Sequence, residues 1–261
     1  MAPMAWAAHH AEQHTQIRRI DLGDLAQSLK RGWDDFLAAP TQIFFLCLVY
    51  PAFGFVLASA AAENALLPLV WPALAGFALV GPVLAIGLYE ISRRRELGLP
   101  AAWNDMFRVL RSPAVWEILL LGLSLVATFV IWIGVARMLY MAFMGPVAPE
   151  SLGAMMGGVL RTREGWMLLL VGNLVGACFA LWVLMVSLVS FPMMLDRDVT
   201  PGHAIQASLA AFRANPVTLT LWGVIVGVLV FAGMAVLGVG LAVALPVLGH
   251  ATWHLYRRLV I

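Results

Sequence analysis

Between Val217 and Tyr256 lie 40 consecutive residues without an Asp, Glu, Lys or Arg. A helix in water needs a polar face, so a stretch this apolar points to lipid. A bilayer span takes about 20 apolar residues. A single helix of this length would reach about 60 Å, roughly twice the hydrocarbon thickness. The run therefore predicts a hairpin turning near Gly233 to Gly240. One long tilted span followed by a short surface helix is the alternative.

Four further apolar runs precede it. Together they predict spans at about 41–59, 69–90, 115–137, 166–190, 217–234 and 238–256. Composition agrees: 62% of the residues are hydrophobic and 11% charged, against about 25% charged in soluble domains. Residues 1–40 mix charges with apolar residues and show no apolar core behind a basic start, so no cleavable secretory signal is expected. Cys47 and Cys178 lie in apolar runs and read as packing residues rather than a disulfide or zinc pair.

Charge orients the spans. With six crossings, thirteen of the sixteen Lys and Arg fall on one side: Arg18, Arg19, Lys30 and Arg31, then Arg93, Arg94, Arg95, Arg108 and Arg111, then Arg197 and Arg213, then Arg257 and Arg258. Only Arg137, Arg161 and Arg163 fall on the other. Basic loops stay cytoplasmic, so both termini are expected there. Five spans would move Arg257 and Arg258 outside and weaken the bias. A net charge of +2 gives no case for nucleic acid.

Three cytoplasmic segments share a pattern of short amphipathic stretch, proline, then span. Leu25, Leu29, Trp33 and Phe36 precede Pro40, with Lys30, Arg31, Asp34 and Asp35 opposite. Trp103, Met106, Phe107 and Leu110 precede Pro113. Ile205, Ser208, Leu209 and Phe212 precede Pro216. A helix with one apolar stripe lies in the membrane interface, and proline suits the first turn of the helix that follows. The expected fold is an all-α polytopic membrane bundle of six transmembrane helices arranged as three hairpins. Each hairpin follows a cytoplasmic amphipathic surface helix carrying Trp33 and Phe36, Trp103 and Phe107, or Phe212. Residues 1–20 read as a mobile cytoplasmic N-terminal segment and 21–258 as one six-span membrane domain.

Two stretches carry a family resemblance: Pro192-Met-Met-Leu-Asp-Arg-Asp-Val-Thr-Pro201 with Ala204-Ile205 and Asn215-Pro216, and Pro246-Val-Leu-Gly-His-Ala-Thr-Trp-His-Leu-Tyr-Arg257. With the hydropathy profile, the chain resembles an uncharacterised bacterial family of integral membrane proteins, domain of unknown function 2189, over roughly residues 20–258. The resemblance implies a multi-pass bacterial inner-membrane protein and no particular reaction.

Candidate sites are few. His250 and His254 stand four apart on one helix face, where two imidazoles can chelate one metal ion. A haem or metal would need a further ligand, for which His203 is the candidate. The competing reading has both histidines hydrogen-bonded to neighbouring helices or lipid headgroups. Trp253, Tyr256, Arg257 and Arg258 beside them read as an interfacial anchor. His9, His10 and His14 form a second cluster without supporting ligands. Gly172, Asn173 and Gly176, and Gly223 with Gly227, have the spacing of close helix packing. Glu90, Glu117 and Arg137 sit near span ends rather than at the bilayer centre, which weighs against proton or ion coupling. Thr200 is expected to cap a helix with Pro201 at its first position. No protease, hydrolase, phosphate-loop or dinucleotide motif is present.

The expected role is that of a non-enzymatic accessory, scaffold or envelope-organising subunit. It would have no cofactor and would contact anionic lipid at the cytoplasmic face, together with a membrane-protein partner. Transport of a neutral or lipidic small molecule, and haem or metal binding through His250 and His254, are the alternatives.

Overall fold

The structure is a computed structural model that describes residues 15–197, 199–235 and 239–261, with the side chain of Gln42 excepted. Of the expected mobile segment 1–20, residues 1–14, with His9, His10 and His14, lie outside the described residues.

Regular structure among the described residues is helical, apart from one antiparallel bridge between Ile17 and Val260. The helices are α1 Leu22–Ala38, α2 Gln42–Ala62, α3 Val70–Gly76, α4 Gly81–Glu96, α5 Val115–Met144, α6 Leu152–Arg161, α7 Arg163–Ser187, α8 Ser190–Asp196, α9 Pro201–Ala214, α10 Pro216–Ala235 and α11 Leu241–Leu259. Among the described residues, five helical stretches are long and apolar enough to cross a membrane: Ile43–Ala62, Asn64–Glu96, Val115–Met144, Arg163–Asp196 and Pro216–Ala235. Only 17–39% of their apolar windows is buried inside the protein. The remaining apolar surface is what lipid would cover.

Local sequence sets the breaks. Within Asn64–Glu96, 3₁₀ turns at Asn64–Leu69 and Phe77–Val80 flank α3, and Pro82 opens α4. Pro68 and Pro82 each lack an N–H, which interrupts regular α-helical bonding there. A capping box starts α1: Asp24 N donates to Asp21 Oδ1 at 2.9 Å and Asp21 N donates to Asp24 Oδ2 at 3.1 Å. Thr200 caps α9 with Pro201 in its first turn, as its sequence predicts.

Near the C-terminus the chain doubles back. Asn215, just before α10, accepts from Ile20 N at 2.8 Å. Arg18 N donates to the carbonyl of Leu259, the last residue of α11, at 2.8 Å. So α10 begins and α11 ends beside residues 18–20. At their far ends Gly233 meets Gly240, where a Cβ on Gly240 would stand 2.7 Å from Gly233 Cα. Residues 236–238 are outside the described residues.

α11 is not among the five apolar stretches, and the packing explains why. Leu248 to Tyr256 are buried at every position but Thr252, enclosed by α1, α2, α4 and α10. A helix sheathed in protein need not be uniformly apolar, because polar groups find partners instead of lipid.

Several sequence expectations change. α1 does not turn its whole apolar stripe to the membrane. Leu25 and Phe36 are buried, and so are Asp24, Ser28, Gly32 and Asp35, because α1 packs along α11. Trp33 remains 45% exposed. The segment Trp103–Arg111 is a 3₁₀ helix, with Met106 and Val109 buried and Trp103 and Phe107 exposed. On α9 the buried face is Ala204, Ala207, Ser208 and Ala211, and Phe212 is half-buried. Small residues let α9 sit close to α7 and α8. The segment between Gly145 and Gly165 contains α6.

Candidate functional site

Asp35 of α1, Ser92 and Arg95 of α4, and His250 and His254 of α11 converge on one buried cluster. Asp35 is 5% exposed, Ser92 and His250 are 0%, and His254 is 8%. Ser92 Oγ donates to Asp35 Oδ2 at 2.5 Å and lies 2.8 Å from His250 Nδ1. A hydroxyl has one proton, and here it points to the carboxylate. His250 Nδ1 therefore carries the proton that Ser92 accepts. His254 Nε2 donates to the same Asp35 Oδ2 at 2.8 Å. Arg95 Nε stands 2.8 Å from Asp35 Oδ1, off the hydrogen-bonding direction, so this contact is an ion pair without a directed bond.

The residues resemble a nucleophilic triad in type and not in arrangement. An activated serine gives its proton to an imidazole. Here serine accepts from the imidazole and donates to the carboxylate, with its hydroxyl sealed from solvent. The geometry makes a polar tie between three helices.

The tie extends along α11. Trp253 Nε1 donates to Glu96 Oε2 at 3.0 Å, and Tyr256 Oη donates to Asp196 Oδ2 at 2.8 Å. Arg257 bridges Glu96 and Asp196, each at 3.1 Å. Arg258 pairs with Asp24. Trp253 and Tyr256 are fully buried, so they are core residues rather than the expected interfacial anchor. Arg257 and Arg258 are engaged by carboxylates rather than left for headgroups. The physical reason is again the enclosure of α11.

His203 does not join this cluster. Its Nε2 lies 2.9 Å from Thr15 Oγ1. Among the described residues no group of three His, Cys, Asp or Glu is placed to hold a metal ion. His254 meanwhile commits its Nε2 to Asp35.

The packing glycines divide. Gly176 lies against Trp132, and a Cβ on Gly223 would stand 2.8 Å from Leu184. Nothing stands within 4 Å of a Cβ on Gly172 or Gly227. Asn173 is exposed rather than packed within the chain.

Burial would raise the Asp35 carboxyl, but hydrogen bonds from His254 and Ser92 outweigh it and hold it below its ordinary 3.8. Asp24 is likewise held low: burial opposes, while bonds from the Asp21 backbone and Arg258 prevail. Below 3.8 the unfolded carboxyls bind protons that the folded ones still refuse, so stability falls with pH. The part of the melting midpoint in detergent that these two carboxyls supply should be lost as the pH falls below 3.8. An Asp24→Asn, Asp35→Asn double variant should show a shallower drop when followed by tryptophan fluorescence.

Sequence reasoning placed Asp35 on a solvent face and paired the histidines with no residue in particular. The available signal was Ser28 and Gly32, small residues four apart on α1 that mark a face made for close contact.

Residues 70–196 match the family described as predicted integral membrane protein DUF2189. The expected resemblance holds across this stretch. The DUF2189 match takes in Ser92, Arg95, Glu96 and Asp196 and ends before α9. Asp35 and the histidine-bearing α11, with its Gly-His-Ala-Thr-Trp-His-Leu-Tyr-Arg string, lie outside it. No curated protein and no solved structure matches the chain.

Proposed function

We propose that the chain is a six-span bacterial inner-membrane protein with both termini cytoplasmic. In this reading it acts without catalysis, as an accessory, scaffold or envelope-organising subunit. Its basic end holds anionic lipid and presents a platform to a membrane-protein partner. α10 and α11 supply the fifth and sixth crossings, since one starts and the other ends beside residues 18–20.

One observation carries the reading. The best-packed part of the molecule is its basic end, where carboxylates bind Arg93, Arg95, Arg257 and Arg258. Its surface keeps Lys30, Arg31, Arg111 and Arg213 exposed, with no ion pair among the described residues. Exposed Trp33, Trp103, Phe107 and Leu110 accompany them. Cations beside aromatic side chains suit the headgroup region of an anionic leaflet. Phe107 also meets Phe44, near the start of the first span, edge-on at 6.0 Å, a contact that supports a position at interface depth.

Transport has no comparable support. A recess by Arg137, Tyr140 and Pro146 holds about 70 Å³, well under the roughly 300 Å³ of small-molecule sites. The trough along α10 from Pro216 to Val224 is larger, about 450 Å³, but it is open and its lining carries one polar side chain, Thr220.

Purified protein should be stabilised by phosphatidylglycerol more than by phosphatidylcholine when each is titrated into detergent. Replacing Lys30, Arg31 and Arg111 together by Gln should remove most of that difference. Equal stabilisation by both lipids would contradict the lipid part of the reading.

A further inference from the structure

Asn173 is the one Asn or Gln inside the apolar length of the five span-forming helices, as Asn64 stands at a helix start. It lies on α7 ten residues past Arg163 and 23 before Asp196. At about 1.5 Å per residue that is roughly 15 Å from one charged end and 35 Å from the other, within hydrocarbon depth. Yet the side chain is exposed.

Its Nδ2 donates to the Leu169 carbonyl at 2.7 Å. The second N–H and the Oδ1 have no hydrogen-bond partner among the described residues. A carboxamide carries two donors and an acceptor, and lipid tails can satisfy none of them. Lipid is therefore a poor occupant of this position.

The surrounding face has a definite shape. Ala177 and Ala180 are exposed on the same side as Asn173. Bulkier exposed residues flank them, with Trp166 and Leu170 towards one end, Leu174 to one side and Leu181 towards the other end. Small residues at the centre allow close backbone approach at a crossing point.

We propose that this face of α7 is the homodimer interface, occupied by α7 of a second copy of the chain. Copies inserted by the same rule share one orientation, so a two-fold axis runs along the membrane normal. Parallel α7 helices then hold Asn173 of both copies at one depth. An amide is its own complement: each free N–H donates to the other Oδ1. One contact thus meets the unmet groups on both chains, which apolar lipid cannot do. The interface concerns the outward side of α7 and is independent of the basic end.

The test compares the full chain with Asn173→Leu, both carrying Cys47→Ser, Cys178→Ser and Ala177→Cys. Leucine suits a lipid-facing position, so the variant should fold, and an unchanged melting profile confirms that it does. In phosphatidylcholine vesicles at high dilution, the Asn173 protein should cross-link through Cys at position 177 into a dimer. Asn173→Leu should weaken dimerisation roughly five- to thirtyfold, the loss expected for interhelical hydrogen bonds of this kind. Asn173→Gln should retain much of it. A monomeric Asn173 protein, or a dimer that Asn173→Leu leaves intact, overturns the proposal.

Discussion

Asp35→Ala should be among the most destabilising single substitutions in the chain. The carboxylate serves Ser92, His254 and Arg95 at once. Removing it leaves a buried hydroxyl without its acceptor, an imidazole without its partner and a guanidinium without its counter-charge. Breaking one side of a buried ion pair costs about 3–5 kcal/mol. For a chain of this size that is a fall of roughly 6–20 °C in melting midpoint. Asp35→Asn keeps the volume and one acceptor and should fall between the two. Differential scanning fluorimetry on the intrinsic tryptophans would measure both. A loss of less than about 1 kcal/mol for Asp35→Ala would mean that the cluster contributes little.

Gly32→Ala should be nearly as damaging, by a different route. A Cβ at Gly32 would stand 2.6 Å from Ala251 N and 2.7 Å from Val247 O. Both are backbone atoms of α11 and cannot swing aside, so the helices must separate. Overpacking of this kind costs about 1–3 kcal/mol, and rigid neighbours place it towards the upper end. Alanine would otherwise favour the helix by about 1 kcal/mol over glycine, so a destabilised variant isolates the contact. Because Asp35 lies one turn away, parting α1 from α11 also lengthens its bonds to Ser92 and His254. The two substitutions should therefore combine less than additively.

Both effects concern a contact that local pattern could not reveal. The apolar runs made the spans legible, since lipid imposes a length and a composition on any helix that meets it. The fold-back near Gly233 to Gly240 was legible for a related reason: one straight helix would overrun the bilayer. Hydropathy was less informative for α11, where neighbouring helices stand in for lipid.

α1 shows why the site was hidden. Lys30, Arg31, Asp34 and Asp35 look like one solvated face. Three of them are exposed and Asp35 is not. What separates Asp35 from Asp34 is one step of helical rotation and partners at positions 92, 250 and 254, far away in the chain. The aromatic residues of α11 misled in the same way. Trp253 and Tyr256 next to two arginines have the composition of an interfacial belt, but their rings are buried, and Glu96 and Asp196 at the edge of the core accept from their polar ends. Asn173 erred in the opposite direction. Its glycine neighbours suggested contacts within the chain, and it faces outward.

The account turns on α11 returning to the end where α1 begins, with that end cytoplasmic. Single cysteines at Gln16 and at Ile261, in a background lacking Cys47 and Cys178, test it in sealed vesicles of known orientation. A membrane-impermeant maleimide should reach both positions from the cytoplasmic side and neither from the other. Labelling of the two positions from opposite sides would contradict the six crossings and the shared basic end.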